Sequence, residues 1–164
     1  MSFEVFQDPD VEFLFNSVQD YQTGLLAMNA MELRITSTGT NWDLYVGAIT
    51  SDAGIWDVIQ YYSVQGDHPT IDIVELRFRN TANTAQVQGY FPLTDINSPT
   101  YIIGSPALDP AVDCLSGAGA NVPGDYLTNP SCYQFRVDMR ITPGFEMRPG
   151  LYRIIVEYVI VADL

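Results

Sequence analysis

Lysine is absent from this chain of 164 residues, and its seven basic residues are all arginine. Twenty acidic residues oppose them and give a formal net charge of −13 at pH 7. A surface of that sign repels phosphate backbones and anionic lipid headgroups. We therefore expect no nucleic acid partner.

Histidine occurs once, as His68 in the turn-like segment "QGDHP". Nucleophilic catalysis needs a base that titrates near neutrality beside the nucleophile, and a lone histidine in a turn is more often solvated. Carboxylate pairs such as Asp72 and Glu75 arise by chance among twenty acidic residues. The sequence therefore predicts a protein that is not an enzyme.

Long apolar runs are also missing, since no stretch approaches the length of a membrane-spanning helix. The first residues lack the basic and then apolar order of a signal peptide. We expect no membrane insertion, and either a cytosolic protein or a mature form whose leader has been removed.

Only two cysteines are present, Cys114 and Cys132, in the turn-rich segment "DCLSGAGANVPGDYLTNPSCY". A disulfide between them would close this loop and stabilise the fold by roughly 3 kcal/mol. Two free thiols are the alternative, whereas a redox pair or a zinc site lacks the required spacing and partners. We predict a disulfide-closed loop near 114–132 and, because disulfides persist in oxidising compartments, an extracellular or cell-surface location.

The apolar residues recur with a period of two. In "YQFRVDMRIT", five apolar or aromatic side chains alternate with polar ones, the pattern of a half-buried strand. "AMELRITS" and "VEFLFNSV" alternate in the same way, and a change of phase between Ile73 and Val74 indicates a β-bulge. Further strand candidates, separated by Gly-, Pro- and Asn-rich turns, are "NWDLYVGAIT", "WDVIQYYSV", "TIDIVELRFRN", "AQVQGYFPLT", "TYIIG" and "LYRIIVEYVIV".

This spacing of strands and turns predicts an all-β fold, a two-sheet antiparallel β-sandwich of Ig-like or jelly-roll-like form with about nine or ten strands. We expect one domain over residues 11–164, preceded by an N-terminal strand within residues 1–10. After residue 105 we expect a loop with one short helical turn.

The closing strand is apolar on both faces. Tyr152, Ile154, Val156, Tyr158 and Ile160 are predicted to face the core. The opposite face carries Leu151, Ile155, Val159 and Val161, so we expect other polypeptide to cover it. The segment "TPGFEMRPG" predicts a hairpin that pairs this strand with the one before it.

The N-terminal segment "SFEVFQDPD" places Phe3, Val5 and Phe6 in a short apolar strand before a Pro-containing break. Such a strand is able to complete the sheet edge of a neighbouring copy. Head-to-tail addition does not close on itself and gives a filament. An ordinary edge strand of its own domain is the alternative.

Two ligand classes remain open. Carboxylates cluster in "DPDVE" and "SPALDPAVD", which favours calcium, but neither has the spacing of a known calcium loop, so no cofactor is expected. Trp56, Tyr61 and Tyr62 are candidates for stacking on a glycan, whereas Trp42 alternates with Leu44 and is expected in the core.

Several segments resemble exported surface β-sandwich proteins of Bacteroidota that are loosely similar to WxL-type domains. They are "DYQTG", "NWDLYV", "YFPLT" and "RITPGFEMRPGLYRIIVEY". The resemblance implies a secreted, surface-associated sandwich, and use as a pilin-like subunit follows by analogy alone. The leading hypothesis is a bacterial cell-surface structural or adhesive protein, a fimbria-like subunit that binds copies of itself or related subunits. The alternative is a non-catalytic carbohydrate-binding module.

Overall fold

A computed structural model describes residues 2–6, 10–114 and 119–163, and confirms an all-β antiparallel sandwich. Two short helices interrupt the strands, α1 at Val18–Thr23 and α2 at Pro130–Tyr133. The strands are β1 Ser2–Phe6, β2 Leu25–Ser37, β3 Trp42–Ile49, β4 Asp57–Tyr61, β5 Val74–Arg79, β6 Phe91–Pro92, β7 Thr100–Ile103, β8 Gly124–Asp125, β9 Gln134–Ile141, β10 Gly150–Arg153 and β11 Ile155–Ala162.

The larger sheet has the order β1-β2-β9-β5-β6, and β8 pairs with the end of β2. Strand β9 lies at its centre, where Phe135 pairs with Leu33 of β2 and Val137 with Phe78 of β5. All four side chains are fully buried. The alternation predicted for "YQFRVDMRIT" is thus confirmed, because its apolar face forms the core.

The second sheet has the order β11-β3-β7, and β4 pairs with β10 in a separate two-stranded ribbon. In β3, the side chains of Trp42, Leu44 and Val46 have no solvent exposure. The prediction that Trp42 belongs to the core is therefore confirmed. Its indole N–H donates to the carbonyl oxygen of Val122 at 3.1 Å, which satisfies the polar atom of this buried ring.

The predicted hairpin between the last two long strands is wrong. Strand β9 lies between β2 and β5, while β10 pairs with β4 and β11 pairs with β3. The chain passes from the ribbon to the second sheet at Ile154, which packs against the core. The connecting loop does not fold back on β9, because Arg148 donates its backbone N–H to Asp67 and Asp67 donates to Glu146.

Three other strand predictions need correction. The segment "AQVQGYFPLT" forms a strand only at Phe91–Pro92. The phase change before Val74 is a 3-10 turn over Ile71–Ile73 rather than a bulge. The segment "VEFLFNSV" forms no strand, although Val11, Phe13 and Phe15 do pack against the core. The segment is extended but has no sheet partner, and its alternation reflects the burial of one side against the core.

Helix α1 is fixed by a capping box. Its backbone N–H at Asp20 approaches the Ser17 hydroxyl at 3.2 Å, and Ser17 donates its own N–H to the Asp20 carboxylate at 2.8 Å. The Asn16 N–H donates to the same carboxylate, and this bond, followed by the contacts of the Ser17 side chain and N–H, holds the pKa of Asp20 below its ordinary value. The box ends the extended N-terminal segment and starts the turn into β2.

An irregularity in β2 surrounds a buried carboxylate. The pairing with β9 shifts between Ala27 and Met31, and Asn29 within this stretch has φ of 50°. The Asn29 backbone N–H donates to Asp138 of β9 at 2.8 Å. The extra residues in β2 therefore bring a donor to a charge in the middle of the sheet.

The disulfide between Cys114 and Cys132 is confirmed, with the Cα atoms 5.1 Å apart. Helix α2 carries Cys132 and supplies the one helical turn expected after residue 105. Among the described residues, no helix has the length and apolar character needed to cross a membrane.

Candidate functional site

The N-terminal strand β1 lies at the edge of its own larger sheet. It runs antiparallel to β2, from Ser2 opposite Thr36 to Phe6 opposite Glu32. By this register Phe3 pairs with Ile35 and Val5 with Leu33, at positions of β2 whose side chains are buried. This is the edge-strand arrangement, and β1 pairs with β2 alone among the described strands.

Among the side chains of β1, the structure describes that of Glu4. Glu4 is exposed and accepts a long hydrogen bond of 3.4 Å from the Tyr126 hydroxyl. The Arg34 guanidinium lies 5.4 Å from the centre of the Tyr126 ring. Residues 7–9 lie outside the described residues, and the first packed apolar side chain after them is Val11.

The closing strand β11 pairs with β3 along its full length and is an edge strand. Within the described ranges, no strand pairs with its other side. On its outward face Ile155 is 50% exposed, whereas Val159 and Val161 are half-buried by their own chain. Leu151 of β10 is 42% exposed. Of the four residues predicted to need a cover, only Leu151 and Ile155 are thus largely exposed.

The three proposed glycan-stacking residues lie in different environments. Trp56 is half-buried, packs against the core and donates its indole N–H to the Thr70 carbonyl at 2.9 Å. Tyr61 is covered on one ring face by the Arg148 guanidinium, 3.4 Å from the ring centre. Tyr62 is 65% exposed. Only Tyr62 among the three keeps a largely exposed ring.

His68 is not the solvated turn residue that the sequence indicates. Its ring is half-buried beside Tyr61 and Tyr152, with ring centres 5.5 and 6.1 Å away, and its Nε2 contacts the Tyr61 hydroxyl. The Tyr152 hydroxyl donates to the Arg148 carbonyl at 2.6 Å. These contacts tie the β4–β10 ribbon to its neighbouring turns.

Three carboxylates meet at one end of the second sheet. Asp43 comes from β3, Asp109 from the loop after β7, and Asp163 directly follows β11. An oxygen from each lies within 4.8 Å of the others. Register explains the approach of two of them, because Asp43 pairs with Val161 and the Asp163 N–H donates to the Asn41 carbonyl.

This carboxylate cluster, Asp43, Asp109 and Asp163, is poorly compensated. Asp43 is only 4% exposed, and among the described residues no hydrogen-bond donor reaches its buried Oδ1 or the two buried oxygens of Asp109. Burial, together with the charges of Asp109 and Asp163, raises the pKa of Asp43 to about 7.

A glycine leaves room for the Asp43 carboxylate. Gly104 follows β7 with φ of 78°, and a Cβ at this position would overlap Asp43 Oδ1. Any other residue here would displace the carboxylate and strain the backbone. The cluster is thus built by the close approach of β3 and the end of β7.

The sequence indicated one member of the cluster, since Asp109 lies in "SPALDPAVD". It missed Asp43, which alternation assigned to the face opposite Trp42, because Gly104 and Asp109, both after β7, lie against this side chain. It also missed Asp163, whose position depends on the pairing of β11 with β3. Asp8 of the other acidic segment, "DPDVE", lies outside the described residues.

Neither a scan against protein-family models nor a search of curated proteins finds a match to this chain. The resemblance to exported surface sandwiches therefore stays a prediction.

Proposed function

We propose that this protein is a non-catalytic structural or adhesive protein of the bacterial cell surface that assembles by exchanging β1 between copies. One observation carries the proposal: β1 is a terminal edge strand that pairs with β2 alone among the described strands. The occupant of the β2 edge is then β1 of the same chain or β1 of a second copy.

Exchange conserves the favourable interactions. The five residue pairs from Ser2–Thr36 to Phe6–Glu32 are the same whichever chain supplies β1. An empty β2 edge would expose unpaired N–H and C=O groups, so each released strand has to be replaced. The balance between the two arrangements is therefore set by concentration and by the connection after Phe6.

Exchange gives each copy one donor strand and one acceptor edge. Two copies that satisfy each other form a closed dimer, whereas successive donation in one direction forms an open chain. We propose the open chain. The uncovered Leu151 and Ile155 end offers apolar surface for lateral contacts between such chains.

The net charge of −13 opposes assembly through repulsion between copies. Salt at about 0.15 M reduces this repulsion over distances beyond about 8 Å. Assembly is therefore expected to increase with ionic strength.

An oxidising location fits the disulfide between Cys114 and Cys132. In such a compartment the bridge restrains the loop between the two cysteines in the unfolded chain. We propose a location outside the cytoplasm for this reason.

Deletion of residues 1–8 tests the role of β1. Light scattering should show assemblies for the full chain in physiological salt, and their loss after the deletion. A synthetic peptide of residues 1–8 should bind the shortened chain in a 1:1 ratio, because it restores the β2 ladder. Val64→Ser is the control, since Val64 is 88% exposed in a turn and its substitution should leave assembly unchanged.

An unchanged particle size after the deletion, or a shortened chain that does not bind the peptide, would refute β1 exchange. Loss of assembly in Val64→Ser would instead assign the association to exposed apolar residues in general.

Glycan binding is the second candidate, and the exposure of Tyr62 favours it. Tyr62→Ala should abolish binding on a glycan array if its ring stacks on a sugar. Absence of binding by the unmodified protein across polysaccharides would exclude this candidate without affecting the exchange test.

A further inference from the structure

We propose that Asp43, Asp109 and Asp163 bind a calcium ion. The proposal does not depend on β1 exchange, because the cluster lies in the second sheet and β1 lies in the larger one.

No cation among the described residues compensates the charge of this cluster. The five ion pairs among the described residues use Glu32, Glu75 and Asp138, so none reaches this cluster. Asp43 is almost fully buried, no described residue donates to its Oδ1, and two further carboxylates lie beside it. Buried charges in proteins are paired or coordinate metals.

The three side chains have the chemistry that a divalent cation requires. All three side chains offer carboxylate oxygens, the ligands of hard divalent cations. Oxygens on opposite sides of a calcium ion lie about 5 Å apart, twice its usual ligand distance of about 2.3–2.6 Å. The spacing within 4.8 Å is therefore suitable for one shared ion.

The positions of the three side chains in the fold favour calcium over magnesium. Asp109 belongs to an irregular loop, and Asp163 follows the last strand. Calcium accepts six to eight oxygens in variable geometry, whereas magnesium requires a near-ideal octahedron. Three carboxylates from a strand, a loop and a strand end, with water as the remaining ligands, suit calcium better than magnesium.

The ion would connect three parts of the chain. Asp109 lies three residues before Val112, whose N–H donates to the Ala120 carbonyl at 2.9 Å within the cysteine-bearing loop. Binding would therefore fasten this loop and the end of β11 to β3. The predicted consequence is a structural site that holds the outer strand in place.

Calorimetric titration of chelator-treated protein with CaCl₂ at pH 7.5 tests the site, together with thermal unfolding at the same calcium concentrations. We expect one ion per chain and a melting temperature that rises with calcium. Asp109→Asn should weaken calcium binding at least tenfold. Asp52→Asn is the matched control, because Asp52 is exposed and its substitution removes the same charge elsewhere.

Asp109→Asn should fold without calcium, since it reduces repulsion within the cluster, and a circular dichroism spectrum checks this. The proposal is overturned if calcium produces neither heat nor a shift in melting temperature. It is also overturned if Asp109→Asn binds as tightly as the unmodified chain, which would mean diffuse attraction to an acidic surface. Equal affinity for MgCl₂ would overturn the choice of calcium.

Discussion

The buried carboxylate of Asp138 allows a quantitative prediction for Asp138→Asn. Asp138 has no solvent exposure. It accepts hydrogen bonds from Arg77 Nε at 2.9 Å, Arg79 Nε at 2.9 Å and the Asn29 backbone N–H at 2.8 Å. Burial alone would raise the pKa of Asp138, but the bonds from Arg79, Asn29 and Arg77 outweigh it and lower this pKa to about 2.

The difference between a pKa of about 2 and the ordinary value of 3.8 corresponds to roughly 2 kcal/mol of folding free energy. Removing one member of a buried ion pair costs about 3–5 kcal/mol. The side chains of Arg77 and Arg79 are 29% and 35% exposed, so water solvates their charges in the variant and the cost is lower than for a fully buried pair. We therefore expect a loss of about 2–3 kcal/mol and, for a chain of this size, a melting temperature lower by about 4–12 °C.

Urea unfolding followed by tryptophan fluorescence measures the loss. Because the folded pKa of Asp138 is lowered, its contribution is complete above pH 3.8 and declines as the pH falls towards about 2. The difference in the free energy of unfolding between the variant and the unmodified protein should decrease over this pH interval. Glu75→Gln is the control, since its partner Arg140 is 44% exposed and the pair should contribute less than about 1 kcal/mol.

A change below about 0.5 kcal/mol in Asp138→Asn at pH 7 would refute this account of the network, given the burial of the group. If the difference in the free energy of unfolding stays constant down to about pH 2, the charge of Asp138 is not the source of its stabilising effect.

Further predictions concern the core, the disulfide, the cap and the effect of salt. Phe135→Ala should lower the free energy of unfolding by about 3–5 kcal/mol in urea titration, because the ring is fully buried. Reduction of the bond between Cys114 and Cys132 should lower it by roughly 3 kcal/mol, measured with and without reductant. Ser17→Ala should cost about 1 kcal/mol through loss of the cap, with faster amide exchange in α1 as its sign. Raising NaCl from about 0.01 to 0.15 M should increase the light-scattering mass of the full chain.

Alternation predicted the strands that have one buried and one polar face. Strand β9 is the clearest case, because Phe135 and Val137 face the core while Arg136 and Arg140 face water. The pairing of the last two strands could not be predicted in this way. The chain passes from the β4–β10 ribbon to the second sheet at Ile154, and no turn residue within this continuous apolar stretch indicates the change.

The same limit applies to the carboxylate cluster. Composition indicated the loop of Asp109, but the partners Asp43 and Asp163 are 120 residues apart in the chain. Their approach follows from the register of β11 on β3, where Val161 faces Asp43. Local sequence does not contain this information, and only long-range pairing supplies it.

The origin of the strand on the β2 edge is the most direct test of the proposed assembly. Ser2 and Thr36 are opposed in the ladder, where Cα atoms lie about 4.5–5.5 Å apart, within the range of a disulfide. The double variant Ser2→Cys and Thr36→Cys, oxidised under assembly conditions, should give a ladder of covalent multimers on a non-reducing denaturing gel. Each single variant should lack that ladder. A double variant that forms only an internal bond and migrates as a single chain would contradict exchange of β1 between copies.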